Sequence, residues 1–239
     1  MSRPPRIAII IYSMYNHIAE LAEAEKKGIE DAGGQATIFK VEETLEEKVL
    51  EKMHVPKGDG RMSNSYPVAS NETLENHDAF LFGIPTRYGN MPAQIKTFWD
   101  RTGSLWVNSK LAGKFAGVFV STGGLGGGQE ETGYSILSTL VHHGIVFVPF
   151  GYSHAFEDLS NIKEVHGGSA VGAGTIAGSD GSRRPSSLEL GMAEKQGKGF
   201  YNLVSRVKFD QGLERPGEDG VNAGAADTDN VAYGSTSVN

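Results

Sequence analysis

A doubly wound α/β sheet of five parallel strands, in the order 2-1-3-4-5 with helices on both faces, is the fold this sequence predicts, and three observations predict it. Residues 7–11, 78–84 and 115–120 are apolar at nearly every position rather than at alternate ones, the pattern of strands covered on both faces. Strand-like and helix-like stretches alternate five times along the chain, and such alternation builds a parallel sheet through helical crossovers. Right-handed crossovers then favour the 2-1-3-4-5 order, which places a topological switch between strands one and three.

The first strand lies in residues 6–18 (RIAIIIYSMYNHI), where an apolar run ends in hydroxyl, amide and small groups that start a helix. Ile18, Leu21, Ala22, Ile29 and Ala32 recur at helical spacing until Gly33-Gly34 stops the pattern, and Asn16 reads as an ordinary N-cap. Residues 36–41 (ATIFKV) alternate, as expected of an edge or next-to-edge strand. Thr44 and Glu47 make a capping-box pattern for a short helix ending near His54. Residues 55–70 read as a long loop without assigned chemistry. After the strand at 78–84, Asn90 is placed to cap a helix with Pro92 in its first turn and Ile95, Phe98, Trp99 and Thr102 on one face, so Trp99 belongs to the core. Residues 103–113 read as a linker that carries Leu105 and Trp106 outside any helical stripe. The strand at 115–120 runs into a glycine-rich loop, a helix continues from Gln129 to His142-His143-Gly144, and residues 145–150 (IVFVPF) make the fifth strand. Residues 151–185 contain no expected regular element and wrap over one end of the sheet. Ser186 and Glu189 then open a last long helix with a capping box. From Asp210 the chain turns to Gly, Asp, Asn, Ala and Ser, the composition of a disordered tail.

Twenty-two Lys and Arg against 29 Asp and Glu leave a net charge of −7, which repels a nucleic-acid backbone and offers no basic footprint to anionic membranes. The absence of cysteine excludes a disulfide framework and a thiol nucleophile, and no apolar stretch near the start has the length of a signal or spanning segment. A soluble cytoplasmic protein of one domain plus appendages is expected.

Three unusual loops follow strands one, three and four, and all fall on the carboxyl edge of the sheet around the switch point, where ligands of such sheets bind. The first offers Ser13, Tyr15, Asn16 and His17 beside the unpaired N–H groups of a helix start, a phosphate-type cradle. The second, residues 85–91 (PTRYGNM), adds an aromatic and a guanidinium. The third has five glycines in six positions after Ser121-Thr122, which lets the backbone approach a flat ligand closely. Together they suit a flat ring system with one phosphate, such as FMN. The glycine run lacks the dinucleotide frame, and residues 191–198 (GMAEKQGK) lack the Ser or Thr of a P-loop. Residues 151–155 (GYSHA) half resemble a nucleophile elbow, but Asp158 and His166 lie too close behind to serve as its acid and base. His142-His143 reads as a polar helix end and, without carboxylate partners, makes a poor metal site, which leaves a ligand contact through one of them open.

Taken in order, SMYNHI, PTRYGNM, the STG and GGGQE loop, HHG with VPFGY, and GSDGSRRPS resemble the WrbA family of flavodoxin-like NAD(P)H:quinone oxidoreductases, most closely its fungal members, some of which are reported as minor allergens. The resemblance runs from Arg6 to about Phe209 and implies a flavodoxin-like FMN-binding domain over residues 1–209, followed by the tail at 210–239. It implies FMN as cofactor, NAD(P)H as co-substrate, a homotetramer, and two-electron reduction of quinones. Ser13, Met14, Tyr15, Asn16, His17 and Ile18 would bind the FMN phosphate. Thr86, Arg87 and Tyr88, flanked by Pro85, Gly89 and Asn90, would hold the isoalloxazine. Ser121, Thr122, Gly123, Gly124, Leu125 and Gly126, with His142 reaching from an adjacent subunit, would complete the flavin site. Tyr15 would contact the nicotinamide and Trp106 the quinone, which makes Tyr15, Trp106 and His142 the catalytic candidates. Asn16 stands where the family more often has Gly, and the glycine loop is one residue longer than in bacterial members. Arg87 is the expected tuner of flavin charge. The competing class is a flavin-binding or partner-binding module without turnover, of which an electron carrier is the milder form.

Overall fold

A computed structural model describes residues 3–209, so the expected tail from Asp210 lies outside the described residues. The sheet is parallel throughout, with the path β2-β1-β3-β4-β5 formed by β1 (Ile7–Ile11), β2 (Ala36–Lys40), β3 (Ala79–Pro85), β4 (Phe115–Thr122) and β5 (Val146–Phe147). The reason residues 7–11 are apolar throughout is visible in their division between two cores. Ile7, Ile9 and Ile11 face α1 (His17–Asp31) and the last helix, α9 (Ser187–Val204). Ala8 and Ile10 face the opposite layer, which contains α4 (Ala93–Asp100) and its buried Trp99. β2 lies at the edge, and only Ile38 of its five residues is fully buried, consistent with its alternating sequence.

The fifth strand departs from expectation. Only Val146 and Phe147 pair with the start of β4; Pro149 has no N–H to give the ladder and Gly151 turns the chain away at φ +65. The position is refilled later by a sixth strand, β6 (Gly174–Ile176), which pairs with the end of β4 at Val120, Ser121 and Thr122. Between the two half-strands, the Gln196 side chain of α9 donates to Val118 O (2.8 Å) and accepts from Ala173 N (2.6 Å), in place of strand backbone. Residues 151–185 are therefore not free of regular structure: they hold α8 (Phe156–Leu159) as well as β6.

Smaller corrections have local causes. The Thr44 capping box does not form, because Glu43 accepts the N–H groups of Thr44 and Leu45, and α2 (Glu47–Lys52) starts from Glu46 without a side-chain cap. A short helix absent from the expectation, α3 (Asn71–Asn76), is capped reciprocally by Ser70 and Thr73. Asn90 does not cap α4, whose N-cap is Pro92; its backbone closes a turn with Arg87 in both directions. The expected linker contains a helical turn, α5 (Gly103–Val107), that buries Leu105 and exposes Trp106. The helix after the glycine loop breaks at Ile136 into α6 (Gln129–Ser135) and α7 (Leu137–His142). The capping box of Ser186 and Glu189 forms as expected.

Candidate functional site

The carboxyl ends of β1, β3, β4 and β6 meet at one cavity of about 310 Å³, within the usual range for small-ligand sites. From the first loop Ser13, Met14, Tyr15, His17 and Ile18 line it; from the second, Pro85, Thr86 and Arg87; from the third, Ser121, Thr122 and Gly123. The loops are tied to each other: Thr86 N donates to Ser121 O (2.9 Å), and Thr132 of α6 donates its hydroxyl to Thr86 Oγ1 (2.7 Å). Gly128 has φ +78, and a Cβ there would lie 3.0 Å from Gly89 Cα, so the glycine run is needed where the second and third loops touch.

Not every expected residue reaches the cavity. Tyr88 is fully exposed, Gly89 and Asn90 form the outer turn of their loop, and Gly124, Leu125 and Gly126 lie beyond the lining. Trp106 on α5 and His142 at the end of α7 are exposed and face no part of this chain's own cavity. Asn16 is not the ordinary cap: it sits at φ +70, caps nothing with its side chain, and directs its amide away from the lining. The sequence reading also missed a wall of the cavity, Ala177 to Gly181, which β6 carries to the same edge. Its run of Gly, Ser and Asp within GSDGSRRPS was the available signal.

The first loop has the chemistry of an anion site. The N–H groups of Asn16, His17 and Ile18 meet no acceptor among the described residues, whereas Ala19 N is taken by Ser13 Oγ (3.2 Å). Three donors thus remain at the positive end of α1. The His17 ring is bonded to Arg183 O through Nε2 (2.9 Å), and burial, aided by the Arg184 charge, lowers its pKa from 6.5, so the ring is neutral at pH 7. The sole cation of the three loops is Arg87, at the exposed rim of the cavity. On the far side the wall is fastened from both ends: buried Glu189 accepts from Ile176 N, Thr175 Oγ1 and the Arg183 guanidinium, and Arg184 Nη1 donates to Tyr15 O (2.8 Å).

Beneath the loop lies a polar cluster. Glu43 accepts from Tyr12 OH (2.9 Å), Arg61 Nη2 (3.0 Å) and Gln94 Nε2 (3.0 Å). Burial alone would raise the Glu43 carboxyl, but the bonds from Arg61, Leu45 N–H, Tyr12 and Thr44 N–H hold it below the ordinary 4.5.

These residues fit FMN: one helix-start cradle for one phosphate, then a cavity beside it walled by Pro85 to Arg87, Ser121 to Gly123 and Ala177 to Gly181, with no basic pair for a second phosphate among the described lining residues. A mononucleotide-type site at the switch point of a 2-1-3-4-5 sheet defines the flavodoxin-like class. Within that class, the chain belongs to the NADPH-dependent FMN reductase family, whose pattern matches residues 10–157. It is 59% identical over 202 residues to the NAD(P)H quinone oxidoreductase PST3 of Candida albicans, covering 84% of this chain and 99% of that relative. It is 61% identical over 203 residues to protoplast secreted protein 2 of Saccharomyces cerevisiae, with the same coverages of 84% and 99%. A WrbA-like flavodoxin from Agrobacterium tumefaciens superposes with a TM-score of 0.56 at 22% identity, covering 84% of this chain and 98% of that one, a likeness of fold.

Proposed function

We propose that the protein is an FMN-dependent NAD(P)H:quinone oxidoreductase of the WrbA type. The observation that carries this reading is the convergence of three loops on one cavity, beside a helix start whose Asn16, His17 and Ile18 N–H groups meet no acceptor among the described residues and whose His17 and Ile18 line it. Family membership and the names of the fungal relatives support it. FMN, when bound, would supply the hydride and electron-transfer chemistry by which a nicotinamide reduces a quinone to a hydroquinone, with protons from solvent.

The chain's own part is to bind, orient and set charge. Ser13 and the N–H groups of residues 16–18 would hold the phosphate. Pro85, Thr86 and Arg87, Ser121 to Gly123 and the wall from Ala177 to Gly181 would clasp the ring. Arg87 would place positive charge at the rim, where a reduced, anionic ring is favoured. The Tyr15 phenol donates to Met53 O (2.9 Å), which fixes the aromatic ring beside the cavity for stacking against a flat substrate. Because Trp106 and His142 face outward, their proposed contacts with quinone and flavin require a neighbouring subunit, which is consistent with the expected homotetramer. A cytoplasmic location is supported by composition alone, and the name of the yeast relative speaks of secretion by protoplasts for that protein.

An electron carrier would share the phosphate cradle but needs no substrate wall. The names of the fungal relatives favour the enzyme. Heat release of the cofactor from protein incubated with flavins, followed by chromatography, tests the assignment: FMN is expected, while FAD or no flavin would refute it.

A further inference from the structure

The first loop is clamped at both ends by a turn that the sequence reading left without chemistry. Two short 3-10 turns, Gly58–Gly60 and Met62–Ser65, pack beside it. At the loop's start, Ser13 O accepts from Arg61 Nε (3.1 Å) and from Ser63 Oγ (3.2 Å). At its end, the Asn16 amide donates to Gly60 O (2.8 Å) and accepts from Met62 N (3.0 Å). The turn is itself fixed to the body of the protein through the Arg61–Glu43 ion pair (3.0 Å), with the Arg61 side chain only 11% exposed.

Asn16 holds a left-handed backbone, φ +70 and ψ −14, which asparagine tolerates better than most residues but which still carries strain. Its carbonyl starts the helix by accepting Glu20 N (2.8 Å). The left-handed residue therefore sets the direction of its own N–H and of those of His17 and Ile18. Those three donors meet no acceptor among the described residues.

We propose that Asn16 is a positioning residue for the flavin phosphate: its side-chain amide, held by Gly60 and Met62, locks the left-handed bend that aims the three N–H donors into the cavity. This rests on the reading of the cavity as an FMN site. The amide bonds to Gly60 and Met62 and lies outside the cavity lining, so its effect is on phosphate recognition and not on the chemistry.

The test compares FMN with riboflavin, which lacks the phosphate, by fluorescence quenching on the flavin-stripped full chain. In Asn16→Gly the bend remains accessible while the clamp is lost. The expected result is an FMN dissociation constant raised about tenfold, an unchanged riboflavin constant and an unchanged melting temperature for the flavin-free protein. Ser63→Ala, which removes one bond at the other end of the clamp, should weaken FMN in the same phosphate-dependent way and by less, and it decides the matter if the Gly variant fails to fold. Unchanged FMN affinity in both variants, or equal losses for FMN and riboflavin, would overturn the inference. A wild-type chain that binds no FMN at all would overturn the functional reading itself, and the inference with it.

Discussion

Glu25 lies in α1 with its side chain fully buried and both carboxylate oxygens without a hydrogen-bond partner among the described residues. Burial pushes its carboxyl well above the ordinary 4.5, so the folded state favours the protonated acid. With the folded value raised, Glu25 does least harm below 4.5, and stability is lost as the pH climbs from there through the raised value. Glu25→Met should therefore stabilise the protein by about 1–3 kcal/mol near neutral pH. The gain should shrink toward pH 4.5. Urea unfolding of both proteins across that pH range measures it, and a pH-independent difference would contradict the account. Neither this burial nor the bend at Asn16 was legible in the sequence. Glu25 reads as one charge among several on an amphipathic helix, and an asparagine at a helix start reads as a cap. What decides both cases is distant chain: α9 over Glu25, and the 58–65 turn under Asn16.

Among elements, α1 and α9 pack backbone against backbone. A Cβ on Gly28 would sit 1.9 Å from Glu194 O, and one on Gly197 would sit 2.1 Å from Glu25 O. The two backbones touch through paired glycines, so Gly197→Ala should force them apart and lower stability by about 1–3 kcal/mol in urea unfolding. Gly191→Ala, in the same helix with nothing within 4 Å of the added methyl, should instead raise stability by up to about 1 kcal/mol. Equal effects of the two substitutions would contradict the crossing. The long elements were legible because their periodicity is sustained: the strands at 7–11, 79–85 and 115–122 and the helices α1 and α9 lie where the apolar pattern puts them. The fifth strand was legible in its place beside β4 but not in its length, and β6 was not legible, since three residues carry no period; the sharing of one sheet position by the two half-strands depends on Gln196 from a helix far along the chain. Because β6 was missed, the wall from Ala177 to Gly181 was missed with it.

At the scale of the whole molecule, the switch point was predictable from strand order alone, and the residues that line the cavity come mainly from the three loops that order brings together. Trp106 and His142 show the limit of reading one chain: their proposed roles came from family resemblance, and in this chain both point to solvent. In the proposed enzyme FMN would fill the cavity and offer one ring face to two flat substrates, which must use it in turn: the nicotinamide leaves before the quinone stacks. The direct test is initial-rate kinetics of the FMN-loaded full chain, with nicotinamide nucleotide and quinone varied against each other. Double-reciprocal lines should be parallel, and lines that intersect would contradict a single shared site.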